Sequence, residues 1–425
     1  MPGRWKKAAT AIFPASHRAA WRNSCLVASM LLAFPLPSYG QAGDPAPKYN
    51  STVDIIGADY FAAVNKVLFV THDGEIGTIN LVGDEARTQM LAHLPGVDFT
   101  TLAIANNNMA LIGSSDGFLY GFDGKSLSKI IQFKSFDEPI MDISVGPVEI
   151  WLAGARGLIA RSAKGVDWEL VEIAAITQPP MAFPKGKLGN WYLGVANIDA
   201  ASFRLTGTVD GRAPVPEQDY RLYPEEGMVE MLHPLDEQTD TLVSFEFRPG
   251  PPFRAGDISW NAVLQGNGRI TLAGEFGLIA QSMDDGKTWI RRNGYVTSEE
   301  PAPAYWIAGV ARNDHMVLVG AAGAVASSPD GGTTWTRLPV PGKEAAFGVH
   351  IDADETINVA GAVGLVARLE QGKWLTIDRS QENLYSWLKS FVELEDGRLL
   401  LLGGKSTALT RGAEDKWSRV KLRIE

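Results

Sequence analysis

Short apolar runs separated by glycine-containing turns recur along most of the chain. Residues 305–340 show the pattern, because the segments YWIAGVA, HMVLVGA, AVASS and TWTRLPV are separated by RND, AG and PDGGT. Runs of this length, rich in β-branched residues and bounded by Gly, Asp and Pro, are typical of antiparallel strands. Apolar residues at helical spacing are nearly absent after residue 42. The pattern therefore predicts an all-β protein built from four-stranded units.

The four-stranded unit repeats at a nearly constant period. The repeat is marked by a glycine after the second apolar run, which falls at Gly154, Gly274, Gly320 and Gly361, with looser copies at Thr71, Gly113 and Gly403. Except for one interval, neighbouring copies are 41 to 46 residues apart. Four strands per repeat of this length are the signature of a β-propeller blade. The seven copies predict a seven-bladed β-propeller with four-stranded antiparallel blades.

The interval between Gly154 and Gly274 spans 120 residues, nearly three periods. Its central part, Asn190–Phe253, is rich in acidic residues and proline and lacks the second glycine of the repeat. We therefore expect residues 180–255 to form a β-rich insertion within the propeller. The alternative is an eighth, degenerate blade, because Gly194 lies one period after Gly154. Insertions into repeat proteins map to loops on one face, so this segment is a candidate binding element.

Two repeats contain the same pattern, Ser-x-Asp-x-Gly-x-Thr-Trp. Its residues are Ser282, Asp284, Gly286, Thr288 and Trp289 in the first copy and Ser328, Asp330, Gly332, Thr334 and Trp335 in the second. Each copy lies where the third strand turns into the fourth. There the Asp can accept hydrogen bonds from backbone N–H groups, the Gly can adopt an unusual φ, and the indole can pack between layers of strands. We interpret the pattern as a structural turn and assign it no catalytic residue.

The first 42 residues have the organisation of a secretory signal peptide. Five basic residues precede the apolar run CLVASMLLAFPL, residues 25–36, and small residues at a cleavage site end at Ala42. The alternative, a membrane anchor, is disfavoured because these 12 residues are too few to span a bilayer. Cleavage would leave residues 43–425 as the propeller and would remove Cys25, the only cysteine. An exported chain without disulfides predicts a bacterial periplasm or a comparable lumen.

Composition narrows the chemistry of the chain. Without residues 1–42 it carries 34 Lys and Arg against 49 Asp and Glu, a formal charge of −15, which disfavours nucleic acid as a partner. The remaining histidines have no metal-ligand spacing, so we expect no metal. The sequence contains no phosphate-binding loop, no Gly-x-Ser-x-Gly elbow and no Cys–His pair. We expect no cofactor and no enzymatic activity.

Aromatic residues recur near the start of the predicted innermost strands. They are Trp260, Tyr305, Trp306, Tyr385 and Trp387. At this position they would lie near one rim of the central channel, where aromatic side chains can anchor a peptide or an apolar ligand. The alternative is that they fill the interfaces between blades. These five residues form a candidate partner-binding rim.

The Ser-x-Asp-x-Gly-x-Thr-Trp pattern resembles the Asp-box of BNR repeats. Together with the recurring LAG..G.IA.S run and the signal peptide, it resembles the photosystem II stability/assembly factor-like family over residues 60–170 and 255–425. The resemblance implies a seven-bladed propeller that acts without catalysis as an assembly or accessory factor for a membrane protein complex, in some bacteria an RND-type exporter. Photosynthetic members use a basic patch, and this acidic chain departs from that pattern.

Asp-boxes also occur in sialidases, so an Asp-box glycan-binding protein or a glycoside hydrolase is the alternative function. A sialidase needs three clustered arginines and a Tyr–Glu pair. The Arg-Ile-Pro signature that precedes the first blade of sialidases is absent, and no carboxylate pair stands out. The sequence therefore favours an assembly or accessory scaffold that contacts an envelope or membrane protein complex and does not itself span the membrane after cleavage.

Overall fold

The computed structural model describes residues 52–82, 85–106, 108–133, 138–251, 257–300, 304–379, 383–412 and 416–424. The predicted signal peptide, residues 1–42, lies outside the described residues, as do residues 252–255 of the predicted insertion. No helix in the described part of the chain is long and apolar enough to cross a bilayer.

The first three blades each consist of four consecutive antiparallel strands. Their strands are β1 (Ile55–Phe61), β2 (Lys66–Thr71), β3 (Glu75–Val82), β4 (Glu85–His93), β5 (Phe99–Asn106), β6 (Met109–Ser114), β7 (Phe118–Phe122), β8 (Leu127–Gln132), β9 (Ile140–Val145), β10 (Ile150–Gly154), β11 (Ile159–Ser162) and β12 (Glu169–Leu170). Alternating buried positions in the first strands of blades 1 and 2 fit strands packed between neighbouring sheets.

Six further strands separate blade 3 from blade 4. They are β13 (Ile176–Ala182), β14 (Gly189–Tyr192), β15 (Arg204–Leu205), β16 (Tyr220–Tyr223), β17 (Met228–Met231) and β18 (Leu242–Phe247). Strand β13 pairs with the outer edge of blade 4 and continues through β18 to β15, while β14, β17 and β16 form a separate sheet. None of the six lies innermost in the ring, so this segment, named the insertion below, widens blade 4 and adds no blade.

The last four blades repeat the four-stranded order. Their strands are β19 (Trp260–Gly266), β20 (Arg269–Gly274), β21 (Ile279–Ser282), β22 (Ile290–Arg291), β23 (Trp306–Arg312), β24 (His315–Gly320), β25 (Val325–Ser328), β26 (Thr336–Arg337), β27 (Ala346–Ile351), β28 (Ile357–Gly361), β29 (Val366–Glu370), β30 (Lys373–Thr376), β31 (Leu388–Glu393), β32 (Leu399–Gly403), β33 (Ala408–Arg411) and β34 (Trp417–Arg419). A final strand, β35 (Lys421–Ile424), pairs in parallel with β4 of blade 1.

The seven blades form a closed ring. The first strand of each blade lies against the first strands of both neighbouring blades, including β31 against β1. Within the described residues this arrangement gives seven four-stranded units around a central channel. Apolar side chains of adjacent blades fill each interface, as Val319 of blade 5 and Val359 of blade 6 do. The prediction of an all-β propeller is confirmed.

Every innermost strand carries a one-residue bulge at its second position. The bulge residues are Ile56, Thr100, Met141, Asn261, Ile307, Phe347 and Lys389. The residue before each bulge is buried; these residues are Ile55, Phe99, Ile140, Trp260, Trp306, Ala346 and Leu388. A bulge inserts a residue and re-aims the side chain beside it. The first side chain of each blade therefore packs into the interface between blades.

The insertion packs as part of the propeller core. Its residues Phe183, Leu193 and Phe245 belong to the same buried cluster as Trp151 of blade 3 and Trp289 of blade 4. An ion pair also stabilises the insertion, since both carboxylate oxygens of the fully buried Asp219 accept hydrogen bonds from Arg212, at 2.5 and 2.9 Å. The ion pair lies within the insertion, whereas the shared apolar cluster holds the insertion to the ring.

Candidate partner-binding groove

The two faces of the ring carry different kinds of links between strands. Four short 3-10 turns join the second and third strands of blades 3 to 6, at Ala155–Gly157, Glu275–Gly277, Ala321–Gly323 and Ala362–Gly364. The links that lead into the innermost strands open on the same side, because the strands of a blade alternate in direction. This side is named the turn face. The two Asp-boxes lie on the opposite side, named the Asp-box face.

The first Asp-box is a hydrogen-bonded turn before β22. Ser282 donates to one oxygen of Asp284 at 2.8 Å, and the Thr288 hydroxyl donates to the other oxygen at 2.7 Å. The backbone N–H of Thr288 also donates to Asp284, at 2.9 Å. The indole N–H of Trp289 donates to the carbonyl of Gly286 at 3.0 Å. The hydrogen bonds from Thr288 are the main reason that the pKa of Asp284 falls to about 2.

The second Asp-box, around Asp330, has the same geometry. Ser328 and the Thr334 hydroxyl donate to its two oxygens at 2.8 and 2.7 Å, and Trp335 donates to Gly332 at 2.9 Å. Burial raises the pKa of Asp330, but the hydrogen bonds from Thr334 and Ser328 together outweigh burial and lower it. Both carboxylates are thus occupied by their own turns, which fits the structural interpretation of the pattern.

Blade 3 contains a third copy of this turn without the aspartate. Ser162 accepts from the N–H of Gly165 at 2.8 Å, and the indole of Trp168 donates to the Gly165 carbonyl at 3.1 Å. These bonds match the serine, glycine and tryptophan bonds of the other two copies. The Ser–Gly–Trp contacts therefore form without the carboxylate. The sequence pattern missed this copy because it has neither the Asp nor the Thr and is one residue shorter between Ser and Gly.

The predicted rim of aromatics is not a continuous exposed surface. Trp260 and Trp306 are each 1% exposed. Because each is the residue before a bulge, its ring packs into the interface between blades, and for these two residues the prediction of a partner contact is wrong. Tyr385 is 71% exposed, and Tyr305 and Trp387 are half-buried on the turn face. For these three residues the partner contact stays a prediction.

A groove with a volume of about 320 Å³ opens on the turn face between blades 4 and 5. It is lined by Phe276, Gly277, Asn293, Tyr295, Thr297, Glu299, Glu300, Ala304 and Arg337. These residues come from the 3-10 turn of blade 4, the long link that follows β22, and the outer strand of blade 5. None of them was among the predicted site residues. The unusual length of the link after β22 was the one signal that the sequence offered.

Trp306 shapes this groove from beneath. Its indole N–H donates to the carbonyl of Gly277 at 2.9 Å, and the Asn293 amide donates to the same carbonyl at 2.6 Å. The guanidinium of Arg337 lies 4.7 Å from the centre of the Trp306 ring, a cation–π contact. The buried tryptophan thus fixes two residues of the lining without being exposed to a partner.

The insertion holds one wall of the groove. The backbones of Tyr192 and Thr297 exchange two hydrogen bonds, at 2.8 and 3.0 Å. Gly194, with φ +68°, lies directly against the phenol ring of Tyr295. Behind that ring, the buried Arg291 donates to the carbonyl of Leu193 at 2.7 Å. The insertion and the link after β22, which are distant in sequence, therefore meet at this wall of the groove.

Two arginine charges flank Tyr295. The guanidinium of Arg291 lies 5.5 Å from the Tyr295 ring centre, and burial lowers the pKa of Arg291 to about 10. Burial also raises the pKa of the Tyr295 phenol, against the opposing effect of Arg291 and Arg337. Among the described residues neither arginine has a carboxylate within 4.0 Å. The hydrogen bonds of Arg291 go to neutral acceptors on Leu193, Gly194 and Gln178.

Phe276 has a left-handed backbone at the edge of the groove. Its φ is +54°, and the equivalent residues of the other 3-10 turns, Arg156, Ala322 and Val363, have φ between +51° and +53°. A left-handed conformation costs a non-glycine residue roughly 1–2 kcal/mol. The turn presents the middle residue of each of these links on the turn face in spite of that cost. In blade 4 the residue presented is a large apolar one.

The central channel holds a separate pair of charged groups. Asp142, next to a bulge of blade 3, accepts hydrogen bonds from the N–H groups of Val263 and Ile143, both at 2.9 Å. Burial nevertheless raises the pKa of Asp142 to about 6. Burial also lowers the pKa of Lys389, a bulge residue of blade 7, and the charge of Asp142 opposes that shift. Blades 3 and 7 are not neighbours, so the two groups interact across the channel.

No protein-family model and no curated protein matches the sequence. The solved structure of YCF48 bound to D1 peptide covers 86% of this chain and 96% of its own, at 12% identity and a TM-score of 0.51. YCF48 from Cyanidioschyzon merolae covers 87% and 98%, at 11% identity and 0.53. The WD40 β-propeller domain of Doa1 covers 84% and 93%, at 12% and 0.50. The chain shares their β-propeller fold. At these identities the likeness extends to the fold alone.

Proposed function

We propose that this protein is an exported, non-catalytic β-propeller that acts as an assembly or accessory scaffold for a membrane protein complex of the bacterial envelope, and that it binds a peptide segment of that complex in the groove. Export rests on the signal-peptide pattern of residues 1–42. The photosystem assembly factor-like resemblance supports the scaffold role, and an RND-type exporter is one class of complex that it suggests.

The groove between blades 4 and 5 is the observation that carries the proposal. Its lining combines two aromatic rings, Phe276 and Tyr295, with an arginine that forms no ion pair among the described residues. Exposed aromatic and arginine side chains are the residue types enriched at protein interfaces. A groove of about 320 Å³ accommodates a few side chains of an extended segment better than it does a folded domain.

Two further observations support the proposal. YCF48, which has the same fold, is known from a structure in which it is bound to a D1 peptide. In this chain, the carboxylates of Asp284 and Asp330 are engaged by their own turns, so the Asp-boxes offer no free carboxylate for catalysis. Both points favour binding over catalysis.

Photo-crosslinking in cells tests the proposal. A photoreactive amino acid is placed at Glu299 in the groove or, as a matched control, at the exposed Leu375 in the outer strand of blade 6. We expect the groove position to capture one dominant membrane protein that the control position does not. Equal capture at both positions, or no capture, contradicts the proposal. Retention on immobilised glycans that is lost in Tyr295→Ala would favour the glycan-binding alternative.

A further inference from the structure

We infer that the groove recognises a segment that carries a single carboxylate side chain beside an apolar residue, and that this carboxylate accepts hydrogen bonds from the guanidinium of Arg337 and the hydroxyl of Tyr295. The inference rests on the proposed function, because it names the chemistry of the segment that the same groove would bind.

Two arginines at the groove that lack a carboxylate partner, Arg337 in the lining and Arg291 behind it, are the first argument. Arg337 makes a cation–π contact with Trp306, and among the described residues it has no carboxylate within 4.0 Å. Arg291 is 3% exposed and hydrogen-bonds only to neutral acceptors, with its Nε–H left without a partner in the described structure. A buried charge without a counter-charge is costly, so an anion bound nearby relieves that cost.

Tyr295 lines the groove and lies near both arginines. Its ring is part of the lining and contacts the backbone of Gly194, with Arg291 behind it. Its hydroxyl has no hydrogen-bond partner among the described residues and remains a donor at neutral pH, since burial raises the pKa of the phenol. A carboxylate can accept from a tyrosine hydroxyl and an arginine at the same time, and charge-assisted bonds of this kind are the strong ones.

The other charged residues of the lining restrict the segment to one carboxylate. Glu299 and Glu300 lie in the same groove and form no ion pair with Arg337. Like charges brought together across an interface are disfavoured, so a run of acidic residues would be repelled there. The whole chain is acidic, with a formal charge of −10, so attraction of an anion must come from this local site.

The apolar part of the specificity comes from Phe276. The 3-10 turn presents this ring at the edge of the groove in a left-handed conformation. The same left-handed turn recurs in blades 3, 5 and 6, so the turn belongs to the fold, whereas the large ring is particular to blade 4. An aliphatic or aromatic side chain next to the carboxylate would cover this ring, and removing apolar surface from water stabilises the complex.

Selection from a phage-displayed library of random 12-residue peptides, on the immobilised full chain, tests the inference. We expect the wild-type protein to enrich peptides with one Asp or Glu beside a large apolar residue and to deplete acidic runs. Arg337→Glu should reverse the preference toward Lys and Arg, whereas Lys373→Glu in the outer strand of blade 6 should leave it unchanged. Enrichment without any acidic preference overturns this inference alone. If neither the wild-type protein nor either variant enriches any peptide, the proposed function is contradicted as well.

Binding of one enriched peptide then measures the contribution of each donor by fluorescence anisotropy. Replacing the acidic residue of the peptide with its amide should weaken binding about tenfold or more. Tyr295→Phe, which keeps the ring and removes only the hydroxyl, should weaken binding about threefold to tenfold for the acidic peptide and leave the amide peptide unaffected. Equal losses for the two peptides overturn the assignment of the hydroxyl to the carboxylate.

Discussion

Gly194 of the insertion lies so close to Tyr295 of blade 4 that a residue with a side chain does not fit at position 194. A Cβ at position 194 would be 2.6 Å from Cζ and 2.8 Å from Cε1 of the tyrosine ring. Gly194 also has φ +68°, a conformation that side-chain-bearing residues resist. The contact joins the insertion to the groove lining, so the shape of the groove depends on residues from outside the repeat.

Gly194→Ala should therefore destabilise the protein by more than backbone strain alone. Gly211, also in the insertion, is the matched control, because its φ is +78° and a Cβ at that position would have no atom within 4 Å. Strain should cost both variants roughly 1–2 kcal/mol. Overlap with Tyr295 should add about 1 kcal/mol or more in Gly194→Ala only. Urea unfolding measures the difference, and equal losses for the two variants would show that the ring moves away freely.

Asp284→Asn should lower the free energy of unfolding by about 1 kcal/mol, because the charged acceptor for Thr288 and Ser282 is lost. The pKa of Asp284 in the folded protein, about 2, lies below its value of about 3.9 in an unfolded chain. Its stabilisation is therefore present above pH 4 and is lost as the pH falls toward 2.

Unfolding curves of Asp284→Asn and the wild-type protein at several pH values check this prediction. The difference between the two proteins should shrink between pH 4 and pH 2. Asp285→Asn is the control: Asp285 is exposed and has φ +58°, a conformation that Asn also tolerates. A loss in the control as large as that in Asp284→Asn would be incompatible with a special role for the Asp-box carboxylate.

Asp142 should make the stability of the propeller fall as the pH rises from 4 to 7. Its pKa of about 6 in the folded protein lies above the unfolded value of about 3.9, so the unfolded chain releases this proton first. The penalty is absent below pH 4 and complete above pH 6. Partial access to channel water limits it to about 1–2 kcal/mol.

Asp142→Asn isolates this effect from every other titrating group. The difference in unfolding free energy between the wild-type protein and the variant should move in favour of the variant between pH 4 and 7. The variant loses one of the two backbone hydrogen bonds, from Val263 or Ile143, at every pH. Parallel pH profiles of the two proteins would mean that Asp142 is solvated like a surface carboxylate.

Arg212→Met should destabilise the outer part of the insertion. Asp219 is fully buried, and its hydrogen bonds with Arg212 are the main reason that its pKa falls to about 2. Removing one partner of a buried ion pair typically costs about 3–5 kcal/mol; His233, 3.3 Å from Asp219, and the half-exposed Arg212 should reduce this to about 2 kcal/mol.

Arg221→Met provides the comparison for Arg212→Met. Arg221 forms exposed ion pairs with Glu217 and Glu230, and pairs of this kind contribute about 0–1 kcal/mol. Hydrogen exchange measured by mass spectrometry should show faster exchange in residues 208–233 for Arg212→Met only. Unchanged exchange there would imply that apolar packing alone holds this part of the insertion.

Much of the fold could be predicted from local sequence, because a propeller repeats one four-stranded unit whose turns are formed by residues close together in the chain. The glycines at 154, 274, 320 and 361 each end a second strand, and Asp284 and Asp330 each shape a turn within a few residues of themselves. Interactions within a few residues produce a recognisable sequence pattern. The blade period followed from them directly.

The groove could not be predicted because its geometry depends on contacts between distant segments. Phe276, Tyr295 and Arg337 belong to three different segments, and Gly194 is about a hundred residues before Tyr295. The misassignment of Trp306 has a similar origin. The bulge after Trp306 determines whether the indole ring faces the rim or the interface between blades. The residue types around a bulge do not predict it from sequence.

The outer strands of the ring differ in how much edge they leave unpaired. The longest, β4, is partly covered by β35, and the insertion covers β22. Strands β12 and β26 have two residues each, while β8 and β30 carry lysines at Lys129 and Lys373. Long, uncharged strand edges template aggregation between molecules. Covering, shortening or charging these strand edges therefore disfavours edge-to-edge pairing between copies of the protein.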